Sequence, residues 1–150
     1  MSGNVVHLRK AGEGKLAQMV KVGSHSFYAD EPQSVGGDDL GPGPFDLLDS
    51  ALGACTALTV LMVARRKQWP LQDVRVEISH DDSDSTYTMR RKIELVGELS
   101  EEQRQYLFGI ANKCPVHRAL HKKIEIESSL AGPAESAAAP QSGTANPQRK

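Results

Sequence analysis

The sequence predicts a single mixed domain in which helices and antiparallel strands come from separate stretches of chain. Three observations lead there. Gly41 to Pro70 holds a long apolar run framed by helix start and stop signals. Val74 to Ile78 and Tyr87 to Leu95 alternate apolar and polar residues, the two-residue period of a strand with one wet face. Between 100 and 120 two further helix starts follow one another. A chain of 150 residues fits one domain and is long enough to bury a core. Only 5% of the residues are aromatic, so that core is aliphatic. With Lys+Arg 18 against Asp+Glu 19, the net charge of −1 offers no handle for nucleic acid or an anionic membrane.

Residues 1–14 are short, polar and Gly-rich, and are expected to form a flexible start; residues 15–130 make the domain. The N-terminus lacks the apolar stretch of a signal peptide, which points to a reducing cytoplasm. Leu16 to Phe27 alternates loosely and reads as one or two strands broken at Gly23. Gln33 to Gly43 is a Gly- and Asp-bearing loop of about eleven residues, long enough to hint at function or an interface.

The central helix starts at Phe45, just after Pro44 at the position that tolerates a missing N–H, and ends in Arg65, Arg66 and Lys67 before Pro70. Its uncharged stretch, Ser50 to Ala64, is roughly 22 Å long, short of the ~30 Å bilayer core. Leu47, Leu48, Leu52, Leu58, Val60 and Met62 spread apolar surface around nearly the whole wheel, so protein should cover it on all sides.

Beyond Pro70 come the two alternating strands, joined by a turn at His80 to Ser85. Arg91 falls on the apolar side of the second strand; it is either at the surface, the favoured reading, or paired with a carboxylate. Ser100 and Gln103 make a capping box for a helix through Ala111. Cys114, followed by Pro115, is a plausible N-cap for a short helix. Ile124 and Ile126 alternate with Glu125 and Glu127 as a last strand, and residues 131–150 have the composition of a disordered tail.

Two cysteines in a reducing compartment are more often reactive or metal-binding than a structural staple. Cys114 at a helix N-terminus, with Lys113, His117 and Arg118 beside it, has surroundings that lower a thiol pKa. Cys55 lies in the apolar helix, where the plain reading is a small buried hydrophobe. Together the two suggest a reversible dithiol/disulfide couple. As a nucleophile Cys55 needs a cation, and none lies within a helical turn of it. A metal site of Cys114, His117 and His121 is the weaker alternative: the spacing suits a metal, but only three ligands cluster. Gly36-Gly37 to Gly43 lacks the Lys-Ser/Thr of a P-loop, and nothing supports a Ser/His/Asp triad.

The stretches GGDDLGPGPFDLLDSALGACTALTV (Gly36–Val60) and NKCPVHRAL (Asn112–Leu120) resemble the OsmC/Ohr family of thiol-dependent peroxidases. The resemblance spans roughly residues 15–128. It implies an α+β fold in which long helices are enclosed by antiparallel sheets from both chains of an intertwined homodimer. It further implies an enzyme without a cofactor or metal that reduces organic hydroperoxides. In that scheme Cys55 becomes a sulfenic acid, Cys114 resolves it as a disulfide, and an external dithiol restores both. Asp46 stands where relatives carry a catalytic Glu. The family draws its activating Arg from the N-terminal strands; residues 15–35 hold none, leaving Lys15, Lys21 and His25 there, with Arg118 beside the second cysteine. A non-catalytic redox-responsive or binding protein on the same scaffold is the alternative.

Overall fold

The computed structural model describes residues 3–132. Three short strands, β1 (Val6–Lys10), β2 (Gln18–Val22) and β3 (His25–Ala29), form an antiparallel sheet in that order. A loop with a 3-10 turn at Gln33–Val35 leads into α1 (Pro44–Arg66). A long hairpin follows, β4 (Leu71–Asp82) and β5 (Tyr87–Gly97), and then α2 (Glu101–Ala111) and α3 (Pro115–Leu120). α1 packs mainly on β4, and beyond that on α2 and α3.

The helix termini follow from their sequences. Gly43 has no side chain to cap α1, so only the reciprocal bond exists: its N–H donates to Asp46 Oδ2 at 3.1 Å. Ser100 and Gln103 complete both bonds of a capping box on α2. The core is small and aliphatic. Val60 and Ala64 of α1, Val74 of β4, and Leu107 and Ala111 of α2 are all buried together. Arg104 fastens α2 to the hairpin by donating to the carbonyls of Leu95 and Gly97 at 2.7 and 2.9 Å. At the other end of the hairpin, His80 Nδ1 donates to Asp49 Oδ2 at 2.6 Å, Tyr87 Oη donates to Asp49 Oδ1 at 3.4 Å, and Phe45 stacks on Tyr87.

Asp30 organises the loop before α1. It is buried, and its carboxylate accepts the N–H groups of Glu31, Asp38 and Leu40 at 2.9, 3.1 and 3.2 Å. Burial pushes the carboxyl pKa up, but the three amides and the charge of Lys10 prevail and bring it below the ordinary range. The loop is drawn so close to β3 that a Cβ at Gly37 would lie 1.8 Å from Glu31 O, and one at Gly41 2.0 Å from Tyr28 O. Backbone approach of this kind admits only glycine.

Several expectations change. Val6–Lys10, within the stretch expected to be flexible, is a strand in full register with β2, so the sheet has an arginine, Arg9, opposite Met19. Its alternation is short and its residues largely polar; pairing, not composition, makes it a strand. Ile124 and Ile126 are in no strand, and Ile126 is 86% exposed; among the described residues of this chain no sheet edge receives them. The hairpin turn is confined to Ser83–Thr86, since β4 extends to Asp82. The expected tail lies, apart from Ala131 and Gly132, outside the described residues.

α1 is long and apolar enough by composition to cross a membrane. Here only one stripe, Leu52, Thr56, Val60 and Ala64, is buried, against the hairpin and the other helices. Leu58 and Met62 on the remaining face are about 60% exposed. Cover on all sides, expected from the sequence, is therefore not supplied by the described residues of one chain.

Candidate functional site

The two cysteines meet at the start of α3. A helix leaves its first N–H groups without internal partners, and Pro115 at the first position has none to leave. The next two amides find sulfur. Val116 N donates to Cys55 Sγ at 3.4 Å, and His117 N donates to Cys114 Sγ at 3.5 Å. Cys114 thus acts as the N-cap, its sulfur taking the place of the usual Ser or Asp oxygen. Cys55, one turn past the buried Leu52, reaches across from α1 to the neighbouring amide. Two residues 59 positions apart are joined through adjacent peptide units, and both thiols are unbonded. Cys114 is fully buried; Cys55 is half-buried, so it is the one that solvent or a small reactant reaches.

Beside Cys114, one hydroxyl away, lies a cation whose place in the sequence favours the surface. Arg91 of β5 is half-buried, and its Nη1 donates to Thr56 Oγ1 at 2.6 Å and to Ala111 O at 3.3 Å. Its Nη2 donates to Asn112 Oδ1 at 2.8 Å. A guanidinium at the carbonyl end of α2 also complements the helix dipole. Thr56, fully buried, stands 3.8 Å from Cys114 Sγ through its hydroxyl. The available signal was a cation at an inward-facing strand position, which must be paired or hydrogen-bonded. Its partners are a hydroxyl, an amide and a carbonyl, with no carboxylate among them.

The other candidates lie elsewhere. Asp46 is exposed and occupied as the cap of α1. Lys21 and His25 are exposed on the N-terminal sheet, and Lys15 pairs with Asp38 at 3.4 Å. Arg118 is exposed on α3. His117 and His121 stack at 4.3 Å, with His121 Nδ1 donating to His117 O at 2.8 Å. Burial, then the nearby charges of His121 and Arg91, holds the His117 imidazole below its ordinary pKa. Among the described residues no three His, Cys, Asp or Glu side chains are grouped to hold a metal. A cavity of about 440 Å³ opens beside Arg91, walled by Leu52, Met89, Phe108 and His117.

The family model for OsmC-like proteins matches residues 36–129, a span that contains both cysteines and Arg91. The chain belongs to the OsmC/Ohr family. Solved OsmC-family structures share its fold. An OsmC-like protein from Mycoplasma pneumoniae is 18% identical, with 79% of this chain and 87% of that one covered at a TM-score of 0.65. An organic hydroperoxide resistance protein OsmC from Legionella pneumophila is 18% identical, with 81% and 90% covered and a TM-score of 0.58. An organic hydroperoxide resistance protein from Elizabethkingia anophelis is 19% identical, with 83% and 92% covered and a TM-score of 0.59. At such identities the likeness establishes the OsmC-like α+β fold. No curated protein matches the chain.

Proposed function

We propose that this OsmC-family protein is a thiol peroxidase that reduces organic hydroperoxides. The observation that carries the reading is the pair of sulfurs on adjacent amides, Val116 N and His117 N, with the outer one half-buried and the inner one fully buried. An N–H aimed at sulfur favours the thiolate, the form that attacks peroxide. The Cys55 thiolate takes the terminal oxygen of the hydroperoxide; the O–O bond breaks, the alcohol leaves with a proton, and Cys55 becomes a sulfenic acid. Cys114, as thiolate, attacks that sulfur. The S–O bond breaks, water leaves after protonation, and the disulfide forms. An external dithiol then reduces it through exchange, a step suited to a reducing cytoplasm.

We further propose a homodimer. The uncovered half of α1 and the apolar face of the N-terminal sheet, where Val6, Leu8 and Phe27 line an open hollow of about 580 Å³ with Pro44 and Leu47, are surfaces a second copy would cover.

Counting free thiols before and after one equivalent of cumene hydroperoxide tests the chemistry. Two thiols per chain should disappear without a crosslink between chains. Cys55→Ser should abolish peroxide consumption, and Cys114→Ser should leave a dimedone-reactive sulfenic acid at Cys55. An unchanged thiol count would remove the peroxidase reading.

A further inference from the structure

We infer that Arg91 is a positioning residue for Cys114: through the Thr56 hydroxyl it prepares a hydrogen-bond donor for the Cys114 thiolate. The inference deepens the peroxidase reading by naming what ionises the resolving thiol, and it rests on that reading only for its role in turnover.

The proton inventory of Thr56 carries the argument. A threonine hydroxyl has one proton and two lone pairs. Arg91 Nη1, at 2.6 Å, takes one lone pair. The proton goes to Leu52 O at 2.7 Å. What remains toward Cys114 Sγ, 3.8 Å away, is a lone pair, which suits a neutral thiol donating its S–H. Once Cys114 gives up its proton, in turnover to the hydroxide that leaves Cys55, the sulfur needs a donor. The hydroxyl can rotate its proton from Leu52 O to sulfur without orphaning that carbonyl, which also accepts the Thr56 amide within α1. Arg91 keeps the oxygen in place through the exchange and polarises its O–H toward the negative sulfur. Thr56 and Cys114 are fully buried, so no water competes at full strength for either group.

The surrounding charges make this the specific route. From α1 the titratable neighbour is Cys55, which shares the start of α3 with Cys114. From α3, His117 gives its amide to Cys114, while its imidazole is held toward the neutral form. Lys113, Arg118 and His121 are exposed on the turn and on α3. Of the cations on these elements, Arg91 is the one joined to Cys114 by a hydrogen-bonded chain.

The test reads ionisation without peroxide, so its outcome is separable from the peroxidase activity. In a Cys55→Ser background, the pH dependence of ultraviolet thiolate absorbance, less that of the Cys55→Ser/Cys114→Ser protein, gives the Cys114 midpoint. Arg91→Met should move it upward by about one pH unit, near the low end for loss of a neighbouring opposite charge, and Thr56→Val should also move it upward, through loss of the hydrogen bond to the thiolate. Thr56→Ser should leave it in place, and Arg91→Lys should fall between. Circular dichroism checks the fold; should Arg91→Met not fold, Thr56→Val and Arg91→Lys carry the measurement. An unmoved midpoint in Thr56→Val, or a rise in Thr56→Ser equal to that in Thr56→Val, overturns the inference.

Discussion

The two sheets of this molecule each carry an apolar face and end in opposite circumstances. The β4–β5 hairpin lies under α1 and α2, and Val74 on it is buried within a core shared with Val60 and Leu107. The β1–β3 sheet has an equally apolar face, yet Leu8 and Phe27 on it remain 59% and 41% exposed. Alternation therefore identifies a face that seeks cover. It does not identify what covers it, or whether the cover belongs to the same chain.

Truncation of matched residues would break or sharpen this contrast. The largest effect is expected in the closed half: Leu107→Ala should cost about 2–5 kcal/mol in urea unfolding, at every protein concentration. Leu8→Ala in the open sheet should show a penalty that grows where the dimer is populated; equal, concentration-independent losses at both sites would erase the distinction. Next comes Phe27→Asp. If the open face is a subunit interface, this change should weaken self-association by roughly 30-fold in sedimentation equilibrium, the scale of an interface hot spot. Unaltered association would free that face from the interface. The smallest effect belongs to His117, whose imidazole pKa is depressed in the fold. The unfolded chain then binds the extra proton, so stability is present above the ordinary imidazole pKa and declines as pH falls toward the folded value. His117→Gln should flatten that part of the acid limb, and a slope identical to that of the parent protein would assign it to other groups.

What was legible in the sequence follows the same division between local and distant causes. The bounds of α1, the capping box at Ser100 and the cap at Cys114 depend on neighbours within a few residues, and the structure has each of them where local chemistry puts it. β1 was illegible because Val6 to Lys10 becomes a strand only on meeting β2. Ile124 and Ile126 carry a strand pattern without an edge to join. At the site, the two cysteines stood out by residue type and flanks. Arg91 did not, since a lone cation in an alternating run fits the surface equally well until Thr56, Ala111 and Asn112 are seen to converge on it. The long loop had suggested an interface or function. Within one chain it is organised by Asp30, which gathers three amides from residues 31–40.

That gathering has a mechanical consequence. With Gly37 and Gly41 pressed against the backbone of Glu31 and Tyr28, the link between the N-terminal sheet and α1 is a bracket, not a tether. A slack connection would let the greasy side of the sheet swing round and smother the thiol-bearing helix of its own chain. A stiff one fixes that side at the first turn of the helix, where Pro44 and Leu47 join Leu8 and Phe27 around one hollow.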